Sequence, residues 1–329
     1  SADFVIAEAG ATLGFAGPRV AESISGRPLP AGSQTAEAAM QAGLVDALIP
    51  REEVRPMLRR LLAILAPADP SPPATGAATD SEAVPGQKAD AWESFRLARH
   101  PGRPSPRRYL ESILEDFVEL RGDRTGTEDP GVLAAIGRFR GRPVVVAAID
   151  RARPGPAGFR KAVRAIETAG RLGFPLVAFV DTPGADPTPQ SEYGGLAASI
   201  ARTFESILET SAPVVSIVTG EGGSGGALAL ACGDVIGIQQ NAVFSVIAPE
   251  GAAEILYRDA SRAPEIARLV KPTAADLVEM GLADELIPEP AGGAHTDPAK
   301  AAEFLGSWLE RALAEVRADP QKRADRYRG

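Results

Sequence analysis

The chain has 329 residues, of which 44% are hydrophobic and 24% are charged, and its formal net charge at pH 7 is −8. This composition is that of a folded protein with one large or two ordinary domains. Because the net charge is negative and every apolar run is too short to span a bilayer, we expect neither a nucleic-acid partner nor a membrane. The first residues, SADFVIAEAG, lack the pattern of a signal peptide, so the sequence predicts a cytoplasmic protein.

A partial internal repeat links the two ends of the chain. TAEAAMQAGLVDALIP (Thr35–Pro50) recurs as TAADLVEMGLADELIP (Thr273–Pro288) with half of the positions identical, and a weaker match continues upstream, between residues 2–18 and 233–249. Such self-similarity predicts two related domains that share this tail. A long stretch of strand and helix pattern precedes only the second copy, so residues 1–65 are predicted to be the C-terminal fragment of a domain.

Residues 66–90 are predicted to be a disordered linker, because they are rich in Pro, Ala, Gly and Ser and contain no aromatic residue. The remainder, residues 91–329, is predicted to be a second domain. Its first segment, residues 91 to about 120, has a helical pattern. One face of this pattern is apolar and should pack on the domain: Tyr109, Leu110, Ile113, Leu114, Phe117 and Leu120.

Short apolar strands alternate with amphipathic helices in the middle of the chain. Strands are predicted at 143–149, 175–181 and 212–218, with helices over Phe159–Leu172 and Leu196–Leu208 between them. A strand, a crossover helix and a strand imply parallel β structure, so the predicted fold class is α/β. The pattern continues with strands at 235–238 and 243–247 and with helices near 251–257, 264–269 and 298–317.

The segment VVSIVTGEGGSGGALALACGD (Val214–Asp234) bears most on function, because an apolar strand leads into four glycines before an Ala-rich helix. Without Cβ atoms at Gly222, Gly223, Gly225 and Gly226, the backbone can approach another molecule closely, and the first N–H groups of the following helix lack internal partners. This pattern predicts an anion site made of main-chain amides. A tight structural turn is the alternative, and a nucleotide P-loop is disfavoured because no Lys-Ser or Lys-Thr follows.

A second glycine-bearing loop, DTPGADPTPQSEYGG (Asp181–Gly195), follows the preceding strand. Loops after parallel strands open on the same edge of the sheet, so the two loops are expected to line one cleft. The alternative is that Asp181 and Thr182 only terminate the strand, while Ser191 or Glu192 caps the next helix.

Side-chain chemistry has little support in this sequence. The two histidines, His100 and His295, lack a metal-ligand spacing or a nucleophile partner, and each is expected to be structural. Cys232 is the only cysteine, which excludes a disulfide or a thiolate metal site within the chain, and we place it on the Ala-rich helix as a buried side chain. Backbone amides remain as a source of catalysis, and each preorganised donor to an oxyanion contributes about 3 to 4 kcal/mol.

Six motifs occur in order within residues 91 to about 315: ARHPGRP, ELRGDR, DTPGA, GEGGSGGALALACGD, APEG at Ala248–Gly251, and IPEPAGGAH at Ile287–His295. Together they resemble the carboxyltransferase α subunit of bacterial acetyl-CoA carboxylase. The leading segment, LGFAGPRVAE (Leu13–Glu22) with AGLVDALIP, is similar to the end of the β subunit of the same enzyme. The chain therefore resembles a β–α fusion that lacks most of its β part.

The resemblance implies a crotonase-like fold in both parts. It also implies transfer of a carboxyl group from carboxybiotin to acetyl-CoA, which makes malonyl-CoA for fatty acid synthesis. In that family no protein side chain is the obligatory base, since the biotin ureido nitrogen takes the methyl proton. By position, the resemblance assigns as catalytic the amides of Gly225 and Gly226, which hold the ureido oxygen, and as cofactor-binding Gly222, Gly223, Gly184 and Ala185.

The implied partners are a biotin carboxyl carrier protein that carries carboxybiotin, a biotin carboxylase, and a β-type carboxyltransferase domain, in a homo- or hetero-oligomer. No metal in this chain is implied. In the family a matching amide pair of the β-type domain holds the thioester enolate, and this sequence does not contain it. We therefore expect that the chain alone does not turn over acetyl-CoA.

Two departures from the family pattern bear on activity. After Ile149 the family's basic loop is shortened to DRARPGPAGFRKA, and Arg160 and Lys161 at the start of the next helix are expected to face either an anionic group or solvent. The DTPGA loop also continues differently, so contacts to substrate and biotin there are expected to differ. The alternative functions are a divergent acyl-CoA carboxyltransferase or decarboxylase and a non-catalytic assembly paralogue.

Overall fold

A computed structural model of the chain describes residues 2–14, 17–67 and 90–327. The predicted linker, residues 66–90, lies almost wholly outside the described residues, and the proposed domain boundaries stay a prediction. The described strands form a two-stranded sheet near the N terminus and an eight-stranded sheet. Within these ranges, every helix is too short or too polar to traverse a bilayer.

The strands and helices are numbered in chain order. The described strands are β1 Ile6–Glu8, β2 Ala47–Ile49, β3 Asp116–Glu119, β4 Val132–Phe139, β5 Arg142–Asp150, β6 Leu176–Thr182, β7 Val214–Gly223, β8 Val235–Gln239, β9 Val243–Ser245 and β10 Glu285–Ile287. The described helices are α1 Pro18–Ser25, α2 Ala36–Gln41, α3 Val54–Leu65, α4 Ala91–Ala98, α5 Pro106–Ile113, α6 Pro156–Leu172, α7 Pro189–Tyr193, α8 Leu196–Glu209, α9 Ser224–Leu228, α10 Pro249–Tyr257, α11 Ala263–Leu269, α12 Ala274–Glu279, α13 Pro298–Glu315 and α14 Pro320–Asp325. Two short 3-10 helices cover Arg51–Glu53 and Ala260–Arg262.

The large sheet has the strand order β10-β8-β7-β6-β5-β4-β3, and β9 also pairs with β7. From β5 to β10 the neighbouring strands are parallel, whereas β3, β4 and β5 are antiparallel. Helix α6 connects β5 to β6, and α8 lies between β6 and β7, which confirms the predicted parallel α/β arrangement. The carboxyl ends of β5, β6 and β7 consequently lie at one edge of the sheet.

The central strands are buried on both faces, as expected for a sheet covered by helices. Along β5, Val145 and Ala147 belong to one core cluster with Phe159 of α6, while Val144 and Val146 belong to a second cluster with α5 and α13. The second cluster contains two of the residues predicted to pack on the domain, Tyr109 and Leu110, together with four residues of α13: Leu305, Trp308, Leu309 and Leu313. Helices therefore hold the sheet from both sides.

The two copies of the internal repeat fold alike. In the first copy β1 and β2 are parallel, and the Asp46 carboxylate accepts a hydrogen bond from the Val5 N–H at 2.7 Å. In the second copy β8 and β10 are parallel, and the Asp284 carboxylate accepts from the Ile236 N–H at 2.7 Å. Helices α2 and α12 lie between the paired strands. The repeat is thus one strand–helix–strand unit present twice.

Several local predictions are wrong. Residues 116–119 form a strand instead of continuing a helix, because they pair with β4, a strand that the sequence did not predict. The N-cap position of α8 is occupied by Gly195, and no side chain donates or accepts a capping hydrogen bond there. Neither Ser191 nor Glu192 therefore caps that helix. Cys232 is buried as expected, but it lies beyond the end of α9 and not on the helix.

Candidate functional site

The glycine-rich segment leaves the sheet at the carboxyl end of β7. Gly222 and Gly223 are the last residues of β7, and α9 begins at Ser224, earlier than predicted. Ser224 has a φ of 58°, a left-handed conformation that is uncommon for a residue with a side chain. Gly225 is exposed and Gly226 is buried. The strand therefore turns abruptly into a short helix with Gly225 at the surface.

The N–H groups of Gly225 and Gly226 are unpaired among the described residues. Among the described residues neither N–H group has a hydrogen-bond acceptor, as is usual in the first turn of a helix. A methyl group on Gly225 would meet only Ile200 Cγ2, at 3.9 Å, whereas one on Gly226 would lie 2.8 Å from the Ala185 nitrogen. The space beside Gly225 is therefore open, and Gly226 lies against the neighbouring loop.

Gly222 and Gly223 serve close packing. A methyl group on Gly222 would lie 2.2 Å from Cδ2 of the Phe244 ring, and one on Gly223 would lie 2.3 Å from the Pro183 carbonyl carbon. Such distances are too short for any side chain, so both positions require glycine. The predicted contribution of these two residues to cofactor binding stays a prediction.

The DTPGA loop lies directly against the glycine turn. Gly184 has a φ of 129°, and its N–H donates to Thr182 Oγ1 at 3.0 Å. The Thr182 hydroxyl in turn donates to the Ala152 carbonyl oxygen at 2.6 Å, which holds the loop over the end of β5. Since Ala185 contacts Gly226, the structure brings the two loops together at one edge of the sheet, as predicted.

A group of charged side chains lies beneath the glycine turn and is not among the site residues predicted from the sequence. Glu221 pairs with Arg99 at 2.6 Å, and Arg99 also pairs with Glu250 at 2.6 Å. Arg103 and Glu289 form a second pair at 2.5 Å in which both side chains are 0% exposed. Each of these charged residues lies inside one of the motifs GEGG, ARHPGRP, APEG and IPEP, but the motifs do not indicate which residues pair.

The two most buried carboxyl groups of this region differ in their pKa. Burial alone would raise the pKa of Glu289, but the Arg103 charge and the hydrogen bonds from Arg103 and Asn241 hold it below its ordinary value. Burial raises the pKa of Asp181 to about 7, because the hydrogen bond from the Glu221 N–H and the charges of Arg151 and Arg103 offset only part of the effect of burial. The Glu221 N–H donates to Asp181 Oδ1 at 3.0 Å, while the Arg151 Nε lies 3.6 Å from Asp181 Oδ2.

The two histidines pack on each other near Arg103, with ring centroids 3.8 Å apart. The Gly102 N–H donates to His100 Nδ1 at 3.1 Å. Burial and the nearby charges of His295 and Arg151 lower the pKa of His100. In the part of the chain that the structure covers, no three His, Cys, Asp or Glu side chains are grouped so that they could hold a metal ion.

The basic residues at the start of α6 are engaged by acidic side chains. Lys161 is 3% exposed and donates to Glu128 Oε1 at 2.5 Å. Arg160 donates to Asp123 Oδ2 through Nε at 2.8 Å and through Nη2 at 2.6 Å. Of the two expectations for Lys161, the solvent-facing one is wrong, because the side chain is buried and its anionic partner is the Glu128 carboxylate of the protein itself.

Solved structures with the same fold are carboxyl-transferring enzymes. The chain superposes on a transcarboxylase 12S described as the hexameric core of a multienzyme, with a TM-score of 0.72 and 22% identity, over 97% of this chain and 62% of that chain. A single-chain, multi-domain long-chain acyl-CoA carboxylase matches with a TM-score of 0.69 and 19% identity, over 92% of this chain and 30% of that chain. The chain thus has the crotonase-like fold of carboxyltransferases.

Sequence comparison identifies the family within this class. Residues 79–328 match the acetyl co-enzyme A carboxylase carboxyltransferase-like family, and the chain belongs to that family. It is 45% identical over 325 residues to the acetyl-coenzyme A carboxylase carboxyl transferase subunits beta/alpha of Salinispora arenicola, covering 92% of this chain and 57% of that protein. It is also 45% identical over 241 residues to the corresponding subunit alpha of Phenylobacterium zucineum, covering 70% of this chain and 75% of that protein. The chain spans little more than half the length of its β/α relatives.

Proposed function

We propose that the chain is a carboxyltransferase component of acetyl-CoA carboxylase, which moves a carboxyl group from carboxybiotin to acetyl-CoA and makes malonyl-CoA for fatty acid synthesis. Family membership supports this proposal, as do the names of the β/α and α relatives. The observation that carries it is the pair of unpartnered amides at Gly225 and Gly226, with open space beside Gly225.

The amides would act by electrostatic stabilisation. When bound, carboxybiotin supplies the carboxyl group, and its ureido oxygen takes up negative charge during transfer. The Gly225 and Gly226 N–H groups donate to that oxygen, and each such donor contributes about 3 kcal/mol in a preorganised site. Gly184 and Ala185 lie against Gly226 from the neighbouring loop, where they are proposed to orient the cofactor ring.

The proposal includes partners with complementary roles. A β-type carboxyltransferase domain would bind the acyl-CoA thioester, a biotin carboxyl carrier protein would deliver carboxybiotin, and a biotin carboxylase would load it. Assembly into a homo- or hetero-oligomer and a cytoplasmic location are part of the proposal and rest on the enzyme family alone.

Substitution of Gly225 by alanine tests the proposal. The added methyl group has room in the free protein, since its nearest contact is Ile200 Cγ2 at 3.9 Å, but it lies where a ligand must approach the amides. The full chain with a β-type domain should transfer a carboxyl group between malonyl-CoA and biotin. We expect the rate of carboxyl transfer by G225A to be lower by about 100-fold or more, with no loss of folded protein.

A matched control is Gly17→Ala, which adds a methyl group with no neighbour within 4 Å at a residue far along the chain from the glycine turn. G17A should keep full transfer activity. Equal activity of G225A and the unsubstituted chain would contradict the proposed role and favour an assembly function. Carboxylation of acetyl-, propionyl- and longer acyl-CoA thioesters, with carboxybiotin as the carboxyl donor, tests the substrate, because a preference for a longer thioester would contradict the acetyl-CoA assignment.

A further inference from the structure

The residues just before the glycine turn are fixed by side chains from two other segments. Arg103 Nε donates to the Thr219 carbonyl oxygen at 2.6 Å. The Glu221 N–H donates to Asp181 Oδ1 at 3.0 Å, and the Glu221 carboxylate accepts from Arg99 Nε at 2.8 Å. The end of β7 is therefore held at consecutive points immediately before the chain enters α9.

The Asp181 side chain is enclosed at this point, and its contacts are with other parts of the protein. It is 3% exposed, and it lies so close to Gly220 that a methyl group there would be 2.4 Å from its Oδ1. Its Oδ2 has no hydrogen-bond partner among the described residues, and the Arg151 Nε lies 3.6 Å away. The carboxyl group is buried against β7, and the hydrogen bond from the Glu221 N–H links it to the segment that leads into the glycine turn.

Arg151 connects Asp181 to the loop that carries Arg99 and Arg103. Its two terminal nitrogens donate to four carbonyl oxygens of this loop at 3.0 to 3.4 Å, those of Arg99, His100, Pro101 and Arg103. Arg151 has a φ of 56°, a conformation that persists only where surrounding contacts fix it. The end of β7 is thus surrounded by one connected group of side chains: Asp181, Arg151, Arg99 and Arg103.

We infer that Asp181 is a positioning residue, which directs the Gly225 and Gly226 amides at the ligand by fixing the end of β7 through the Glu221 N–H. This inference rests on the proposed function. The physical reason is that stabilisation by preorganised donors depends on their geometry, and a displacement of about 1 Å in an active site can cost about 100-fold in rate. Asp181 is 3% exposed and is enclosed by protein, so the contribution proposed for it is to the geometry of the turn.

The same strand offers a matched control at its other end. Val214 is the first residue of β7, and its N–H donates to Asp234 Oδ2 at 2.7 Å. Asp234 is as well buried as Asp181. It pairs with Arg323 at 2.7 Å, far from the glycine turn along the strand. Loss of either carboxyl group removes one acceptor from a β7 amide, but only Asp181 lies next to the turn.

The kinetic test compares D181A, D181N and D234A in the full chain assembled with a β-type domain. We expect D181A to lower kcat for carboxyl transfer by about 10- to 100-fold with KM for the acyl-CoA changed by less than about threefold. Asn keeps an oxygen that can accept from Glu221, so D181N should recover most of kcat. D234A should keep kcat and lose only stability against urea.

Amide hydrogen exchange measured by mass spectrometry gives a readout that is independent of activity. In the chain without partners, D181A should speed exchange in peptides covering residues 219–228, while D181N and D234A leave those peptides at the unsubstituted rate. Unchanged exchange in D181A, unchanged kcat in D181A, or an equal fall of kcat in D234A would overturn the inference. If the unsubstituted assembly transfers no carboxyl group, the proposed function fails, and the exchange comparison still decides the role of Asp181.

Discussion

Gly223 lies against the backbone of Pro183, so that a methyl group at position 223 would be 2.3 Å from the Pro183 carbonyl carbon and 2.4 Å from its oxygen. These atoms are main chain and belong to the loop that borders the proposed site. The loop cannot give way without moving Gly184 and Ala185. Close approach of the two segments therefore depends on the absence of a single side chain.

Gly223→Ala should damage both stability and activity. Overpacking at a contact this short is expected to lower the free energy of unfolding by about 1 to 3 kcal/mol. Carboxyl transfer should fall with it, because the DTPGA loop is displaced. Gly225→Ala is the contrast: its stability in urea should equal or exceed that of the unsubstituted chain by up to about 1 kcal/mol, since alanine favours a helix over glycine. Similar stability of the two variants would contradict the packing described.

The buried pair of Arg103 and Glu289 yields a second prediction. Arg103→Met leaves Glu289 charged and enclosed without its partner, so we expect a loss of about 3 to 5 kcal/mol in the free energy of unfolding. R103M/E289Q should lose less than R103M, because the uncompensated charge is gone while a hydrogen-bonding side chain remains. Urea titrations of both proteins measure the difference.

An exposed ion pair provides the control for that experiment. Arg262 and Glu265 pair at 2.7 Å with both side chains at the surface. R262M should change stability by no more than about 1 kcal/mol. A loss in R103M as small as in R262M would show that the buried pair does not carry the stability assigned to it.

The central sheet could be predicted because its signals are local. Apolar runs bounded by Pro or Gly marked β5, β6 and β7, and amphipathic helices between them implied parallel pairing. By contrast, β4 was missed because VLAAIGRF is rich in residues without strand preference, and its formation depends on pairing with β5. Tertiary pairing also explains why residues 116–119 form a strand despite helical spacing.

The candidate site could be predicted only in its backbone part. Glycine spacing identified the turn and the neighbouring DTPGA loop, since glycine reports a local backbone requirement. The charged residues beneath it were not predictable, because Arg103 and Glu289 are 186 positions apart and nothing in one sequence pairs them. The raised pKa of Asp181 likewise arises from burial by several distant segments.

Asp181 should make folding stability depend on pH. Burial raises its pKa to about 7 from an ordinary 3.8; the hydrogen bond from the Glu221 N–H and the charges of Arg151 and Arg103 oppose the rise, and the Glu221 charge adds to it. Between these values the folded protein binds more protons than the unfolded chain. The contribution of Asp181 to the free energy of unfolding is therefore fully present below about pH 4. It is lost as the pH rises through about 7, by up to about 1.4 kcal/mol per pH unit.

The comparison of unsubstituted protein with D181N isolates this effect. Both histidines are present in each protein, so their titration cancels in the difference between the two free energies of unfolding. Urea titrations from about pH 5 to pH 8 should show the unsubstituted protein losing stability relative to D181N as the pH rises. A difference that stays constant over this range would mean that Asp181 is ionised throughout.

Asp46 should anchor the first repeat copy to the large sheet. Its carboxylate is fully buried and accepts from the Arg121 N–H at 2.7 Å, from Arg164 Nη2 at 2.9 Å and from Arg124, besides Val5. Asp46→Ala leaves two guanidinium groups without this partner, and we expect a loss of about 3 to 5 kcal/mol. Hydrogen exchange of residues 2–14 and 47–49 should accelerate.

The equivalent residue of the second copy is the control for Asp46. Asp284 accepts from Ile236 in the same way but pairs with Arg326 at a partly exposed position, so D284A should cost less than D46A. Faster exchange confined to β8 and β10 is expected for D284A. If D46A left the exchange of residues 2–14 unchanged, the anchoring role would be wrong.

Cys232 should be unreactive in the folded protein. Its side chain is fully buried, and burial raises the pKa of the thiol well above its ordinary value, with Arg323 and Arg326 acting weakly in the opposite direction. Alkylation requires the exposed thiolate, so iodoacetamide at about pH 8 should label native protein at least 100-fold more slowly than protein in guanidinium. The Tyr327 hydroxyl donates to the Ala231 carbonyl oxygen at 3.2 Å and helps to close this region. Tyr327→Phe should therefore speed labelling without reaching the unfolded rate, and native labelling as fast as that of the unfolded chain would show that the segment around Cys232 opens in solution.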